Sequence, residues 1–305
     1  MNEMIKKAFV KDFSLPISIF DEEHFQYTLK TLDPYYNSLF KYKLLEEYIG
    51  KLKETAADYE EAFHTINKRI IDKSIQSIGQ NQAYQDFTTM DMSEFKHNLT
   101  IPKNNQLYKS HNHGKRFVSI DLVKANFQAL KFVDPDIVLG FDSYEEFLKQ
   151  FTDSTYHFKS KKMRQVIFGN LNPKRQQTVQ KYIMSQLTTK LIELGLDKND
   201  ILNCTSDELI FEYKDEQSYI ISQLIENNIL PNIDFHVEIF DLYKFNIDKP
   251  FYYKKDLDNN ISLKGIPNHS VLECIKTLEN KEIIDMDLQF LFEGRKCQFS
   301  KSIFE

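Results

Sequence analysis

The chain has 305 residues, of which 41% are hydrophobic and 28% are charged, and its formal net charge is −6. This acidic balance excludes nucleic-acid binding through an overall basic field, so any such contact must be local or be shared with a partner. Three scattered cysteines and the lack of an 18-residue apolar run exclude a disulfide framework, a zinc ribbon and a membrane span. We therefore expect a globular protein without a secretion signal, in the reducing environment of the cytoplasm.

The first third of the chain has a helical pattern. Over residues 36–80, apolar side chains recur at steps of three and four positions, which predicts helix throughout this stretch. Residues 84–115 are polar and are predicted to be irregular. We place a boundary near residue 105, with a mostly helical N-terminal region over 1–105 and a second domain over 106–305.

From residue 117 onward, strand patterns alternate with helix patterns. An apolar run ending at Asp121 predicts a strand, and it leads into a helix that reaches Leu130. A capped helix follows over 143–151, and Asn172-Pro173 is a helix start in which asparagine acts as the cap. The later predictions are a strand over 201–211, a helix over 217–228, strands at 235–239, 251–253 and 261–263, a helix over 270–279 and a strand over 287–292. This order predicts an α+β fold in which helices back a sheet.

Carboxylates stand at the ends of two of these apolar runs. Asp121 closes the first, and Asp207-Glu208 lies in the second. Two carboxylates on neighbouring strands suit a pair of Mg²⁺ or Mn²⁺ ions. Glu208 is the weaker candidate, because adjacent strand residues point to opposite faces unless the strand ends between them. A single aspartate at a strand end more often caps a turn, so the argument depends on the pair.

A basic segment separates the two acids in the sequence. Residues 159–175 contain six lysines and arginines and no acidic residue, in a chain that is acidic overall. Such a stretch can bind the phosphates of a nucleotide or of a template backbone. The alternative is an ordinary solvated helix face.

These segments resemble the motifs of family B DNA polymerases. Lys161-x-x-x-Gln165-Val166-x-Phe168-Gly169 has the spacing of K-x-x-x-N-S-x-Y-G, with three substitutions. The run from Thr205 to Phe211 resembles D-T-D-S-L-F-V, with Asp207 on the essential second aspartate and Thr205 in place of the first. Asp121 matches the aspartate of D-F-x-S-L-Y-P, although the residues after it do not.

Two other palm-domain families resemble parts of the same region. The run from Ser206 to Glu212 is similar to the family A motif H-D-E-L-V-x-E. Asp121-Leu122-x-x-Ala125-x-Phe127 resembles D-L-x-x-A-Y-F of reverse transcriptases, which would put Asn126 at the sugar-selecting position. The motif order is common to all three families and covers roughly residues 117–266.

The resemblance implies an antiparallel palm-like sheet with reduced fingers at about residues 143–195. It implies metal binding by Asp121 and Asp207, with Glu208 as a further catalytic candidate. The implied nucleotide-binding residues are Lys161, Arg164, Gln165, Asn126 and Phe127. The implied nucleic-acid-binding residues are Tyr253, Lys254 and Lys255, similar to a basic strand that grips duplex DNA, together with Lys174 and Arg175.

Three hypotheses follow. The first is a template-dependent nucleotidyltransferase of the DNA polymerase type, which acts on a primer-template and nucleoside triphosphates. Such a polymerase would be compact or split, and a viral origin is one alternative. Its thumb would come from the helices of residues 20–80 or from a second protein, which could also carry an exonuclease. The second is an inactive palm serving as an accessory subunit of a replication or transcription complex, which Thr205 favours. The third is a protein of another class, such as a nuclease or a virion protein, with chance motif matches.

Overall fold

A computed structural model describes residues 1–96, 106–226, 229–230 and 232–305. The predicted boundary near 105 and the last two residues of the predicted 217–228 helix lie outside the described residues. The helices are α1 Glu3–Phe13, α2 Glu22–Tyr36, α3 Ser38–Thr55, α4 Tyr59–Gly79, α5 Gln82–Thr89, α6 Ala125–Val133, α7 Tyr144–Leu148, α8 Thr155–Lys159, α9 Lys161–Gly169, α10 Pro173–Glu193, α11 Ser218–Ile225 and α12 Val271–Leu278. The strands are β1 Lys115–Leu122, β2 Ile201–Cys204, β3 Glu208–Glu212, β4 Phe235–Lys244, β5 Tyr252–Asp256, β6 Ile261–Lys264, β7 Gln289–Phe292 and β8 Arg295–Gln298.

The predicted helical character of residues 36–80 is confirmed, but two helices, α3 and α4, fill this stretch, because the chain turns twice in it. Asn37 adopts a left-handed conformation (φ 50°) between α2 and α3. Asp58 starts α4, where its side chain accepts hydrogen bonds from the backbone N–H groups of Glu60 and Glu61, both at 3.0 Å. Such caps satisfy N–H groups that a helix start leaves unpaired, so they stabilise a new helix at the expense of a continuous one.

Two local expectations near the helix starts are also corrected. Part of the stretch predicted to be irregular is helix α5, which forms because Tyr84 and Phe87 bury their rings in the main core. Asn172 precedes α10 as predicted, yet it lies in the left-handed region (φ 54°) and makes no side-chain cap. Its amide instead donates to the hydroxyl of Tyr84 at 3.0 Å. The predicted serine cap of α7 is confirmed, since Ser143 Oγ accepts from the N–H of Glu146.

The predicted strand over 201–211 is in fact a hairpin of β2 and β3. Residues 205–207 form the turn, in which Thr205 N–H donates to the carbonyl of Glu208 at 2.8 Å. The Thr205 hydroxyl accepts from the N–H of Glu208 at 3.0 Å. Threonine and aspartate side chains compete with the strand ladder for backbone groups, and here they favour the turn. The hairpin moves Asp207 out of the strand and leaves Glu208 as the first residue of β3.

The main sheet is antiparallel, with strand order β2-β3-β1-β4-β5-β6. Its first four strands have the β-α-β-β-α-β connectivity of a split βαβ unit, with extra helices inserted between β1 and β2. The predicted α+β fold with an antiparallel sheet backed by helices is therefore confirmed. A separate β7-β8 hairpin closes the chain, and β8 was not predicted because its residues are polar and mostly exposed.

The two faces of the sheet have different environments. Val118, Ile120 and Leu122 of β1 are buried on one face, in a core shared with residues of α6, α9 and α10. The opposite face of the same strand carries Phe117, Ser119 and Asp121, because successive strand side chains alternate. This second face has a small apolar cluster around Phe117, and its polar end holds the candidate site.

The N-terminal helices pack against later parts of the chain. Phe9 and Leu45 share a buried cluster with Tyr156 of α8 and Ile275 of α12. Further along, α4 and α5 contribute to the core that backs the main sheet. Within the described part of the chain, no helix is long and apolar enough to cross a membrane.

Candidate active site

A row of three polar residues crosses the centre of the sheet. Asp121 of β1 lies directly opposite Glu208 of β3 on one side and opposite His236 of β4 on the other. Directly paired residues of antiparallel strands project from the same face. Asp121 is the next-to-last residue of β1, so this row lies near the end of the central strands, where β1 gives way to α6.

Asp207 is held beside this row by the hairpin turn. Its backbone carbonyl accepts a hydrogen bond from the N–H of Leu122 at 2.8 Å, which ties the turn to the end of β1. The hydroxyls of Thr205 and Ser206 donate to Asp207 Oδ1 at 3.1 and 3.3 Å. The two aspartates predicted from the sequence are therefore brought together, one at a strand end and one in the adjoining turn.

The carboxylates affect one another electrostatically. Desolvation and the nearby charges of Asp207 and Glu208 raise the pKa of Asp121 to about 6, and His236 and Lys161 act in the opposite direction. Asp121 is nevertheless exposed, so solvent screens part of this effect. Repulsion among carboxylates that lack a cation favours the protonated form of one of them. The group of acids is thus one that a bound cation would stabilise.

Glu208 is bonded more extensively than the two aspartates. Ser119 Oγ donates to its Oε1 at 2.9 Å, and the side-chain amide of Asn203 lies 3.4 Å from its Oε2. Lys254 Nζ is 4.0 Å from Oε1. Glu208 faces the same side of the sheet as Asp121, because the two residues are directly paired across β1 and β3.

Lys254 is buried beside the candidate site, on the same face of the sheet as Asp121. Its side chain is only 4% exposed, and its ammonium lies 3.2 Å from Glu238 Oε2 and 4.0 Å from the centre of the Phe240 ring. The expected role of Lys254 in gripping nucleic acid does not fit this position. Lys254 instead acts as an internal counter-ion for Glu208 and Glu238.

The neighbours of Lys254 lie on the other face of β5. Tyr253 stacks on Tyr243 with ring centroids 5.1 Å apart, and Lys255 pairs across the strands with Asp241. Because strand side chains alternate, Tyr253, Lys254 and Lys255 cannot all contact one duplex. Only Tyr253 and Lys255 stay accessible for such a contact, on the face away from Asp121.

Helix α9 brings the basic segment toward the acids. Lys161 is its first residue, is exposed, and lies close enough for its charge to lower the pKa of Asp121. Arg164 and Gln165 follow three and four positions later, which places them on the same helix face as Lys161. The Arg164 guanidinium lies over the ring of Tyr144 at 5.8 Å. Of the three predicted nucleotide-binding residues, Lys161 therefore lies near the acids, and Arg164 and Gln165 share its side of the helix.

The two predicted sugar-contacting residues differ in position. Asn126 is half-buried near the start of α6, and its Oδ1 accepts from the amide of Gln180 at 2.6 Å. Phe127 is 1% exposed, and its ring packs against Phe168 with the centroids 6.1 Å apart. Phe127 belongs to the core, and only Asn126 is placed to meet a ligand.

The basic pair at the start of α10 lies apart from the acids. Lys174 is exposed, whereas Arg175 donates two hydrogen bonds of 3.0 Å to the carbonyls of Phe87 and Met90. Those carbonyls belong to the C-terminal end of α5, where a helix leaves acceptors unpaired. Arg175 therefore fastens α5 to α10, which is a different role from the nucleic-acid contact expected of it.

Three residues of the site were not identified from the sequence. Ser119 precedes Asp121 by two positions, and His236 and Glu238 have the same spacing in β4. Ser119 and Glu238 are directly paired, as are Asp121 and His236. A search for polar residues spaced by two within otherwise apolar strands could have found them, because this spacing keeps side chains on one face.

The carboxylates of the site are suited to a magnesium ion that takes its remaining ligands from a substrate and from water. In the described ranges, no group of three or more His, Cys, Asp or Glu side chains is arranged to hold a metal by itself. Mg²⁺ is commonly bound by one or two carboxylates together with substrate phosphates and water. Asp121 and Asp207 match that requirement in number and in chemistry.

Comparisons with known proteins add no family assignment. The chain has no significant match among protein-family models, curated proteins or solved structures.

Proposed function

We propose that this protein is a template-dependent nucleotidyltransferase of the palm type, which extends a nucleic-acid primer with nucleoside triphosphates. The observation that carries the proposal is the meeting of Asp121 and Asp207 at the end of β1 and in the β2-β3 turn. Their mutual repulsion makes a divalent cation the natural partner of the pair.

The fold supports the division of roles. Asp121 and Asp207 would bind Mg²⁺ or Mn²⁺, which when bound neutralises phosphate charge and activates a hydroxyl. Lys161 would pair with the triphosphate, because it is the cation that already acts on Asp121. Arg164 and Gln165, one turn along α9, would orient the same phosphates.

Other side chains would position the reactants. Asn126 lies after β1 and would contact the sugar. Tyr253 and Lys255 lie on the opposite face of the sheet from Asp121, so they would not hold the primer at the metal site. Glu208, held by Ser119 and Lys254, would stabilise the position of the turn without being a metal ligand. A DNA polymerase of viral origin, a cytoplasmic site of action and a second protein with thumb or exonuclease functions are parts of the same proposal.

Primer extension tests this function directly. The purified protein would be incubated with a labelled primer-template, Mg²⁺ or Mn²⁺, and either dNTPs or NTPs. We expect incorporation by the wild type and its loss in Asp207→Asn and Asp121→Asn, both of which keep the side-chain shape. An Asp153→Asn variant is the matched control, because the Asp153 side chain is 92% exposed. Equal incorporation by all variants would contradict the proposal.

A second candidate is an inactive palm that serves as an accessory subunit. Thr205 favours it, because a threonine bonded to Asp207 stands where family B polymerases have an aspartate. Such a protein would bind nucleic acid or a partner without incorporation. Tight metal-dependent binding of dNTP would argue against this candidate, since a subunit that does not incorporate nucleotides does not need to bind them.

A further inference from the structure

A groove lies between the N-terminal helix and the start of α9. Its volume is about 850 Å³. The residues that line it include Lys7, Lys11, Leu15, Ile17, Phe20 and Lys162. The groove thus combines three lysines with an apolar wall, and its lining, as far as the chain is described, includes no carboxylate.

The apolar wall has a defined backbone. After α1 the chain folds back, and the N–H of Leu15 donates to the carbonyl of Val10 at 3.0 Å. The ammonium of Lys6 donates to the carbonyl of Phe20, also at 3.0 Å, and makes an ion pair with Glu22. These bonds hold the loop against the helix, so the wall is formed before any ligand binds.

The charged residues that line the groove are lysines. Lys11 and Lys162 are exposed at its rim, and Lys7, paired with Glu3 at 2.6 Å, adds a third ammonium. The carboxylates of α1 are Glu3, which pairs with Lys7, and Asp12, which accepts a hydrogen bond from the hydroxyl of Tyr156. In a chain of net charge −6, this local excess of lysines favours a polyanion over a neutral partner.

The groove adjoins the candidate active site through α9. Lys161 and Lys162 are consecutive residues at the start of this helix; the charge of the first acts on Asp121 and the second lines the groove. A chain of phosphates that ends at the acids can therefore continue past one helix end into the groove. Apolar and aromatic walls with basic rims are also the features that hold single strands, since bases pack on the wall and phosphates meet the lysines.

We propose that this groove binds a single strand of nucleic acid. The bases would pack on the partly exposed ring of Phe20, and Lys7, Lys11 and Lys162 would pair with successive phosphates. This inference rests on the proposed function for its biological role. The binding itself does not require catalysis.

Fluorescence anisotropy with a labelled 15-nucleotide oligothymidylate tests the proposal, without nucleotide or divalent metal. We expect the triple variant Lys7→Gln, Lys11→Gln, Lys162→Gln to bind at least tenfold more weakly at low salt. The slope of its log affinity against log salt concentration should be smaller in magnitude by about 2, because each lost phosphate contact removes about 0.7 from the slope. Phe20→Ala should weaken binding about fivefold through loss of base packing.

The control triple variant Lys43→Gln, Lys68→Gln, Lys190→Gln removes the same charge from exposed helix faces. Equal weakening in the control, or unchanged affinity in the groove variant, would overturn the proposal. Equal competition by a duplex or by oligoglutamate of the same charge would overturn it as well, by showing that the site does not select single strands. Oligonucleotide binding is also measured for the Asp121→Asn variant. Because this substitution leaves the groove lining unchanged, loss of binding to the groove and loss of catalysis are detected separately.

Discussion

Asp121 and Glu208 face each other across β1 and β3, yet only Glu208 has a buried cation beside it. Lys254 and Ser119 hold the glutamate, whereas Asp121 is left with a raised pKa next to Asp207. The sheet thus separates a structural carboxylate from a pair that is available to a ligand. This difference leads to tests that do not depend on activity.

Replacing Asp121 should stabilise the fold. The pKa of Asp121 in the folded protein, about 6, is higher than its ordinary value of 3.8, so the folded state binds the proton more tightly. The contribution of this carboxyl to stability is therefore fully present below pH 3.8 and is lost as pH rises through 6. Asp121→Asn should be more stable than the wild type by about 1 kcal/mol at pH 7, a value reduced for solvent screening. Urea unfolding at pH 4 and pH 7 measures it, and an equal difference at both pH values would contradict the assignment.

Removing the buried lysine should destabilise the protein. Lys254→Met leaves Glu208 and Glu238 without their shared cation, and we expect a loss of about 2 kcal/mol, less than for a fully buried pair because both glutamates are partly exposed. Lys255→Met, one residue along on the opposite face, is the matched control and should change stability by less than about 0.5 kcal/mol. Similar values for the two variants in urea unfolding would show that Lys254 is not the counter-ion.

Substitutions of Arg175 and Lys174 should distinguish a structural residue from a surface residue at the start of α10. Arg175→Ala removes two hydrogen bonds to the end of α5, so we expect a loss of about 2 kcal/mol. Lys174→Ala should have an effect below about 0.5 kcal/mol. Thermal unfolding followed by circular dichroism gives both values. The assignment of Arg175 would fail if Lys174→Ala proved the more destabilising change.

Thr205 should contribute to the position of Asp207. Thr205→Val keeps the shape of the side chain but removes the hydroxyl that bonds Asp207 and the N–H of Glu208. We expect a loss of about 1 kcal/mol in stability and a several-fold weaker affinity for Mn²⁺. Thr205→Ser keeps the hydroxyl and should behave like the wild type. Unchanged metal affinity in Thr205→Val would show that the turn does not depend on this bond.

Much of the fold could be predicted because apolar periodicity is strong in this chain. The run ending at Asp121 and the serine cap of α7 are local signals, and the structure contains both elements. The β2-β3 turn was not found, because its residues Thr205–Asp207 include neither glycine nor proline, the strongest sequence signals of a turn. The break before α4 was likewise hidden, since Asp58 looks like any surface residue until its cap is seen.

For the site, the sequence could indicate which residues have suitable chemistry but not which face they occupy. Asp121 and Asp207 were paired by motif order, and the hairpin brings them together. Lys254 and Arg175 were predicted to bind nucleic acid, because the sequence does not show whether a basic residue is buried or exposed. Their true partners, Glu238 and the carbonyls of α5, are distant in sequence and become apparent only from the strand register and helix packing.

The most direct measurement of the central claim is Mn²⁺ binding followed by electron paramagnetic resonance, with and without dNTP. The account predicts that the wild type binds Mn²⁺, that dNTP strengthens this binding, and that Asp121→Asn and Asp207→Asn each weaken it at least tenfold. Asp153→Asn, the exposed control, should bind as the wild type does. Undiminished Mn²⁺ binding in both active-site variants would contradict the claim that Asp121 and Asp207 form a metal-nucleotide centre.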